Sequence, residues 1–232
     1  MEVKKRESVK RGVLIALSAV ILLGVVALLF LYRPTDVKLP LLDTKEMMRE
    51  VSPEWEKPGK YWVTYRETPN VLEGENEVAG IVLHHTAYEG SADRVVKDLC
   101  DPSNPVSCHV VIDKDGTRYI LAPPEAITWH AGFSKWGNRY RANLFMIGIE
   151  FQGNTLVEPL TEAQIESAIE YMRPIIEKYN ISADNIVTHQ MIRDAYREAN
   201  PKNKKAWPKV DITPEEYERV RNALDTARLL KF

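Results

Sequence analysis

The hydrophobic positions of this chain form one long uninterrupted run, followed by several short runs separated by polar segments. The long run covers residues 12–32 and contains no charged side chain in 21 positions. At about 1.5 Å per residue, a helix of this length spans roughly 30 Å, which is the thickness of the hydrocarbon core of a bilayer. The pattern therefore predicts an N-terminal transmembrane helix.

Basic residues flank this run unequally. Residues 1–11 contain five Lys or Arg side chains, whereas only Arg33 and Lys38 follow the run closely. Because the cytoplasmic flank carries the positive charge, we expect residues 1–11 to be a cytoplasmic tail and residues 12–32 to be an uncleaved signal anchor. A cleaved signal peptide is the alternative, but no small-residue cleavage motif follows the run. The rest of the chain is then expected outside the cytoplasmic membrane.

Beyond the apolar run, the pattern divides into an irregular part and an alternating part. Residues 33–77 contain five prolines and scattered charges, which predicts a linker with little regular structure whose later part packs on the next domain. In residues 78–232, short β-type runs alternate with amphipathic helical segments. This predicts a single α/β domain in which helices flank one mixed central sheet.

The element boundaries follow from the hydrophobic period and from local start and turn signals. Thr161 with Gln164, and Thr213 with Glu216, predict helix starts, and residues 114–116 predict a hairpin turn. Strands are predicted at 79–85, 107–113, 117–122, 146–152 and 185–188, and helices at 91–99, 162–179, 191–199 and 214–230.

Charge and cysteine content narrow the possible partners. Beyond residue 32 the chain carries 26 basic and 31 acidic side chains, without a basic stripe, so nucleic acid is not an expected partner. Cys100 and Cys108 are the cysteines of the chain. A disulfide can persist outside the cytoplasm, but two buried free thiols are equally compatible with the sequence, because spacing alone does not fix the Cα separation.

Two histidines stand at the ends of predicted buried strands. His84 follows Ile81-Val82-Leu83, and His189 follows residues 186–188. A hydrolytic zinc ion needs three protein ligands and one open position, and two imidazoles plus one carboxylate are a recurrent set. The sequence therefore predicts a Zn²⁺ site for which a carboxylate must still be found.

Five motifs follow one another along the predicted domain. They are Ile-Val-Leu-His-His-Thr-Ala at 81–87, Val-Ser-Cys-His at 106–109 with Ile-Asp-Lys-Asp-Gly at 112–116, Trp-His-Ala-Gly at 129–132, Ile-Gly-Ile-Glu at 147–150 and Val-Thr-His at 187–189. In this order they resemble the type-2 N-acetylmuramoyl-L-alanine amidases, the family that includes the peptidoglycan recognition proteins and phage lysozyme-type amidases. The resemblance implies a zinc hydrolase that cuts the amide between N-acetylmuramic acid and L-alanine in peptidoglycan or muropeptides. It also implies that the first two metal ligands are His84 and His189.

The third metal ligand departs from the common family pattern. Many relatives have Asp-Pro shortly after the second histidine, but here the corresponding residue is Asn200, and a neutral amide is a poor zinc ligand. Further on, Lys209-Val210-Asp211-Ile212 resembles the family's Lys-x-Asp-Pro. We therefore predict Asp211 as the third ligand, with Asp194 and Glu198 as alternatives on the preceding helix.

Glu150 is the predicted general base and acid. In strand 146–152, Ile147, Ile149 and Phe151 share one face, so Glu150 lies on the other face beside Gly148. A carboxylate in an apolar strand is seldom there for packing. The phage and recognition-protein branches have a catalytic tyrosine where this chain has Cys108, so the resemblance assigns the proton transfers to Glu150, as in the cytoplasmic muropeptide-amidase branch.

The remaining motif residues receive roles at the substrate. Lys209 matches a catalytic lysine of that branch and is predicted to donate to the oxyanion, with an ordinary surface lysine as the alternative. His130 is predicted to line the sugar-peptide groove or donate to the scissile carbonyl. Trp129 is predicted to stack on a sugar ring, although a core tryptophan is an equally good account. His85 and His109 are interpreted as structural.

A peptidoglycan-binding module without catalysis, tethered to the membrane, is the rival hypothesis. Some members of the recognition-protein branch have lost a zinc ligand and only bind, and Asn200 raises the same question for this chain. Whether Asp211 completes the site decides between the two. In either case we expect a monomer.

Overall fold

The computed structural model describes residues 59–227. The predicted cytoplasmic tail, the predicted anchor at 12–32 and the first part of the predicted linker lie outside the described residues. Within residues 59–227, no helix combines the length and apolar character needed to cross a bilayer.

The described strands and helices follow the predicted alternation. The strands are β1 (Val63–Tyr65), β2 (Val71–Leu72), β3 (Gly80–His85), β4 (Val110–Ile112), β5 (Arg118–Ile120), β6 (Ile127–Thr128), β7 (Lys135–Trp136), β8 (Arg139–Tyr140), β9 (Met146–Phe151) and β10 (Ile186–Thr188). The helices are α1 (Ala92–Leu99), α2 (Glu162–Tyr179), α3 (His189–Ala199) and α4 (Pro214–Thr226), with short 3-10 turns at Ala142–Leu144 and Ala183–Asn185.

A six-stranded sheet forms the centre of this domain, in the order β1-β5-β4-β9-β3-β10. Within it, β4 and β5 run antiparallel and the other described neighbours run parallel. The predicted mixed sheet is therefore confirmed. The turn between β4 and β5 contains Gly116 at a φ of +87°, a left-handed conformation that favours glycine.

The two faces of the sheet bury different residues. Ile147, Ile149 and Phe151 of β9 pack in the cluster that contains residues of α2 and α4. On the opposite face, Val82 and Val187 pack against Ile192 of α3, and α1 packs on β4. The alternation predicted for β9 is confirmed, so Glu150 and Gly148 lie on the face that carries α1 and α3.

Short strands are the main departure from the predicted elements. β1 and β2 fall within the predicted linker, yet β1 pairs with β5 at the edge of the main sheet and β2 pairs with β6. β7 and β8 form a hairpin in a segment for which the sequence predicts neither strand nor helix. Segments of two or three residues are too short to show a measurable period.

α3 begins at His189 and not at the predicted residue 191, because the Thr188 side chain accepts a hydrogen bond from the Met191 N–H and caps the helix.

Cys100 and Cys108 are free thiols. Their Sγ atoms donate to different carbonyls, those of Arg66 and Val110, which agrees with the alternative of two separate thiols.

Candidate metal centre

The candidate centre lies at the carboxyl ends of three neighbouring parallel strands. His84 near the end of β3 is the register partner of Glu150 on β9. His189 directly follows β10, which pairs with β3 on its other side. Because parallel strands end at the same edge of a sheet, residues far apart in the sequence meet here.

Three side chains converge at this edge. His84 Nδ1 lies 3.1 Å from His189 Nδ1 and 3.3 Å from Asp211 Oδ2, and His189 Nδ1 lies 3.4 Å from the same oxygen. All three residues are buried. Two imidazole nitrogens and one carboxylate oxygen facing one point are a donor set that suits zinc. The residues present therefore fit the metal that the sequence predicts.

Asp211 is held by backbone groups so that one oxygen faces the histidines. Its Oδ1 accepts hydrogen bonds from the His85 N–H at 2.7 Å and from the Ile212 N–H at 3.1 Å. Burial raises the pKa of this carboxyl, but hydrogen bonds from His189 and His84 outweigh burial and hold its pKa below the ordinary range. Asp211 is therefore an ionised acceptor, as a metal ligand must be.

The surroundings shift the pKa values of the two histidines in opposite directions. Burial lowers the pKa of His189 to about 4, so its ring is neutral near pH 7. Burial also lowers the pKa of His84, but the hydrogen bond to Asp211 and the charges of Glu150 and Asp211 outweigh it, and the net pKa is raised. A metal ion that binds at His84 would therefore compete with a proton for this ring.

His130 lies behind His84, on the side away from the cluster. His84 Nε2 is 3.0 Å from His130 Nδ1, and His130 Nε2 is 3.2 Å from the Met146 carbonyl oxygen. Because a carbonyl only accepts, Nε2 of His130 carries the proton and Nδ1 accepts from His84. His84 is thereby oriented with Nδ1 toward Asp211 and His189.

This position corrects the predicted role of His130. Its ring is buried and both ring nitrogens are hydrogen-bonded within the protein, so it does not present a free donor to an open groove. A Cβ atom built on Gly148 would lie 2.5 Å from His130 Cγ, so the ring fills the space that this glycine leaves. A glycine inside a strand often marks such a close approach, and that was the available sequence signal.

Glu150 combines burial with an unused oxygen. Its side chain is half-buried, and among residues 59–227 its Oε2 is enclosed by protein without a hydrogen-bond partner. Burial raises the pKa of this carboxyl to about 7, even though the charge of His84 acts in the opposite direction. A carboxyl that titrates near neutrality beside a metal site can both accept and donate a proton.

The other predicted residues are distributed around this centre. Lys209 is exposed, and its positive charge makes a small lowering contribution to the pKa values of His84 and His189. Trp129 is 38% exposed, so one part of its surface is free to contact a ligand. His109 is buried with Nε2 3.0 Å from the Ala126 carbonyl oxygen, in agreement with a structural role.

The alternative ligands lie outside the cluster. Asn200 donates to the Tyr196 carbonyl at 2.9 Å, and Asp194 pairs with Arg197. Asp194 and Glu198 line a different surface cavity of about 620 Å³. The three-residue cluster thus contains Asp211 and neither of the two acidic alternatives. Arg193, which none of the sequence motifs contains, places its Nη2 3.4 Å from His189 Nε2.

The chain is similar in sequence to known amidases. The family model described as N-acetylmuramoyl-L-alanine amidase (Amidase_2) matches residues 74–205. The 1,6-anhydro-N-acetylmuramyl-L-alanine amidase AmpD of Enterobacter cloacae is 38% identical over 87 residues, which are 38% of this chain and 46% of the relative. The N-acetylmuramoyl-L-alanine amidase AmiD of Escherichia coli K12 is 32% identical over 124 residues, 47% of this chain and 44% of the relative.

The solved structures agree on the fold. A Se-Met AmpD derivative superposes with a TM-score of 0.54 at 22% identity, covering 73% of this chain and 94% of that chain. This chain spans about half the length of the curated relatives it matches. The matched region contains His84, Glu150 and His189, and it ends before Lys209 and Asp211. Because the family model matches more than half of the 232 residues, the chain belongs to the N-acetylmuramoyl-L-alanine amidase family.

Proposed function

We propose that this chain is a zinc-dependent amidase that hydrolyses the bond between N-acetylmuramic acid and L-alanine in peptidoglycan or muropeptides. The observation that carries the proposal is the convergence of His84, His189 and Asp211 beside the half-buried carboxyl of Glu150, the register partner of His84. Family membership supplies the substrate class. His84, His189 and Asp211 are the proposed zinc ligands.

Bound zinc supplies two things to amide hydrolysis: it lowers the pKa of a coordinated water, and it polarises the scissile carbonyl. The remaining steps belong to side chains of this protein. Glu150 accepts a proton from the attacking water and delivers it to the leaving nitrogen, since its pKa near 7 permits both transfers. The ammonium of Lys209 donates to the oxygen that becomes negative as the carbonyl is attacked.

The presence of Asp211 in the cluster removes the main argument for a peptidoglycan-binding module without catalysis. Without an acidic third ligand, the substitution of Asn200 for the family's aspartate would leave an incomplete site. Asp211 supplies the carboxylate within 3.4 Å of both histidine Nδ1 atoms. A complete donor set and a carboxyl with a raised pKa serve hydrolysis, and simple binding would need neither.

We further propose that residues 12–32 anchor the chain in the cytoplasmic membrane and that the amidase domain acts outside it as a monomer. The uncharged run of 21 residues and the five basic residues before it support this topology. Peptidoglycan lies on that side of the membrane, so the proposed location and the proposed substrate are consistent.

The direct test of the reaction is mass analysis of purified muropeptides after incubation with the zinc-loaded full-length chain. We expect release of the intact peptide with a free L-alanine amino terminus, together with the matching muramic acid fragment. Cleavage at another bond, or an unchanged substrate with a zinc-loaded and folded protein, would contradict the proposed activity.

His130 is proposed as the residue that positions His84 for zinc. Because outer partners of metal ligands typically contribute about 10- to 100-fold to metal affinity, we expect His130→Gln to weaken zinc binding by about that factor. The measurement is a competition titration with a chromogenic chelator. His85→Gln is the matched control, since this second histidine of β3 places its ring 2.8 Å from Thr155 Oγ1 and not in the cluster. Equal zinc affinities in the two variants would refute the positioning role.

Lys209→Met is expected to reduce turnover more than substrate binding. An enclosed oxyanion donor contributes about 10²- to 10³-fold, and the exposure of Lys209 places the expected loss in kcat below that range, at roughly 10- to 100-fold. Steady-state kinetics on muropeptides separate kcat from KM. Lys205→Met, which removes an exposed lysine of the same loop, serves as the control. A parallel loss in kcat and binding would argue against an oxyanion role.

A further inference from the structure

Arg193 is a cationic side chain beside the candidate metal centre, and among residues 59–227 it forms no ion pair with an acidic side chain. It lies one turn after His189 on α3 and is half-buried, with Nη2 3.4 Å from His189 Nε2. Its Nε–H is enclosed by protein and has no hydrogen-bond acceptor within the same residues. Arg197, one turn further on, does pair with Asp194.

Metal binding would fix which nitrogen of the His189 ring carries the proton. Its Nδ1 faces His84 and Asp211, so a metal ligated through that nitrogen leaves the proton of the neutral ring on Nε2. The His189 Nε2–H and the Arg193 Nη2–H are then two donors 3.4 Å apart with no acceptor between them. One oxygen can accept from both at ordinary hydrogen-bond distances.

The charge balance indicates which kind of oxygen fits. A guanidinium next to a divalent metal site adds a second positive centre, and a neutral oxygen would leave that charge uncompensated. A carboxylate satisfies both donors and the charge, and hydrogen bonds between ionised groups are the strongest of this type.

A glycine borders the Arg193 guanidinium, and an aromatic cluster follows it along α3. Gly132 borders the guanidinium so closely that a Cβ atom there would lie 3.1 Å from Nη2. One turn beyond Arg193, Tyr196 stacks on Phe133 at a centroid distance of 5.4 Å and contacts Tyr140 edge-on. Phe133 and Tyr140 are 43% and 46% exposed. The same side of α3 thus presents the metal ligand, the cation and an exposed aromatic surface in succession.

We propose that Arg193, with the Nε2–H of His189, binds a carboxylate on the peptide of the substrate, and so favours acidic peptides linked to muramic acid. The inference rests on the proposed amidase function. The carboxyl group of the muramoyl moiety is consumed in the amide that is cut, so the carboxylate of an intact substrate must come from the peptide. Arg193 is therefore a specificity-determining residue on the leaving-group side.

The test compares binding of short peptides that begin with L-alanine and carry one glutamate, against the same peptides with glutamine in its place. Isothermal titration calorimetry of the zinc-loaded full-length chain measures both dissociation constants without turnover. A charge-assisted hydrogen bond predicts that the glutamate peptide binds about 10- to 100-fold more tightly. Equal dissociation constants in the wild type would overturn the proposal without recourse to any variant.

Variants test whether Arg193 causes the preference for the glutamate peptide. Arg193→Gln is expected to abolish the preference for the acidic peptide, Arg193→Lys to retain part of it, and the control Arg197→Gln to retain all of it. On muropeptides, Arg193→Gln should raise KM by about the same factor and leave kcat little changed, because uniform binding is lost. An Arg193→Gln variant that keeps the full preference would overturn the assignment.

Three further outcomes separate the possible sources of failure. If free N-acetylmuramic acid loses affinity in Arg193→Gln while the acidic peptide does not, the cation binds the sugar-side product and the peptide assignment is wrong. If the wild type cleaves acidic and amidated muropeptides with the same KM, the carboxylate site fails while the amidase function stands. If the wild type cleaves neither, the proposed function itself fails.

Discussion

A Glu150→Gln variant is expected to lose about 10²- to 10⁴-fold of its turnover number while it keeps its zinc, because positioned general acid-base groups contribute that much to catalysis. Glutamine preserves the size of the side chain and removes the group that accepts the proton. Burial raises the pKa of Glu150 to about 7, so the wild type holds both protonation states near neutral pH. The measurement is the rate at which L-alanine amino termini are released from muropeptides.

The pH profile provides an independent check on Glu150. A general base works as the carboxylate, so kcat/KM of the wild type should fall as pH decreases through the Glu150 pKa. Bound zinc would lower this pKa by its positive charge, so the acidic limb should lie below the value of about 7 found for the metal-free site. The residual activity of Glu150→Gln should lack this limb.

A matched substitution excludes a general effect of losing a glutamate. Glu158 is also partly buried, but it pairs with Lys114 away from the metal centre. Glu158→Gln should therefore retain wild-type turnover and zinc content. If Glu150→Gln released alanine amino termini at the wild-type rate, Glu150 would have no part in proton transfer, and another group would have to be sought near the cluster.

Long elements were predictable from the sequence because local signals and packing agree in them. α2 has the predicted limits, since Thr161 and Gln164 form a capping box at its start and its apolar stripe continues to Tyr179. β3 and β9 were recognised from short apolar runs, and their alternating faces placed Glu150 correctly. In these segments the local sequence is sufficient to predict the conformation.

The short strands could not be predicted for a physical reason. β1 contains three half-buried residues, and its strand conformation comes from hydrogen bonds to β5, more than fifty positions away. β7 and β8 each contain two residues and are defined by each other. Strands of two or three residues leave almost no periodic pattern in the sequence.

In the candidate site, too, some residues could be recognised from the sequence and others could not. His84 and His189 were recognisable because each ends an apolar strand, and Asp211 was recognisable through a displaced motif. The role of His130 depends on the space above Gly148 and on the Met146 carbonyl, so it follows from tertiary contacts. Arg193 resembles any helical arginine in the sequence, and only the structure of residues 59–227 shows that its buried Nε–H has no hydrogen-bond acceptor there.

Replacing Asp211 with alanine is expected to abolish zinc binding at ordinary concentrations. Removing even an outer partner of a metal ligand costs about 10- to 100-fold in affinity, so loss of a direct carboxylate ligand should exceed about 100-fold. The effect should be large because Asp211 also offsets the positive charge of the metal at a buried position. Elemental analysis after dialysis, with about one zinc per wild-type chain as the reference, measures the loss.

Asp211 also accepts hydrogen bonds from the His85 and Ile212 backbone N–H groups, so alanine removes structural contacts together with the ligand. Asp211→Asn separates the two effects, because its amide oxygen can still accept from the backbone while the negative charge is gone. We expect this variant to keep most of its thermal stability in the metal-free state and still to lose zinc. Asp194→Ala, which removes a partly exposed acid of α3, should retain the metal. Wild-type zinc affinity in Asp211→Asn would show that the third ligand lies elsewhere, and a wild type that binds no zinc would restore the peptidoglycan-binding hypothesis.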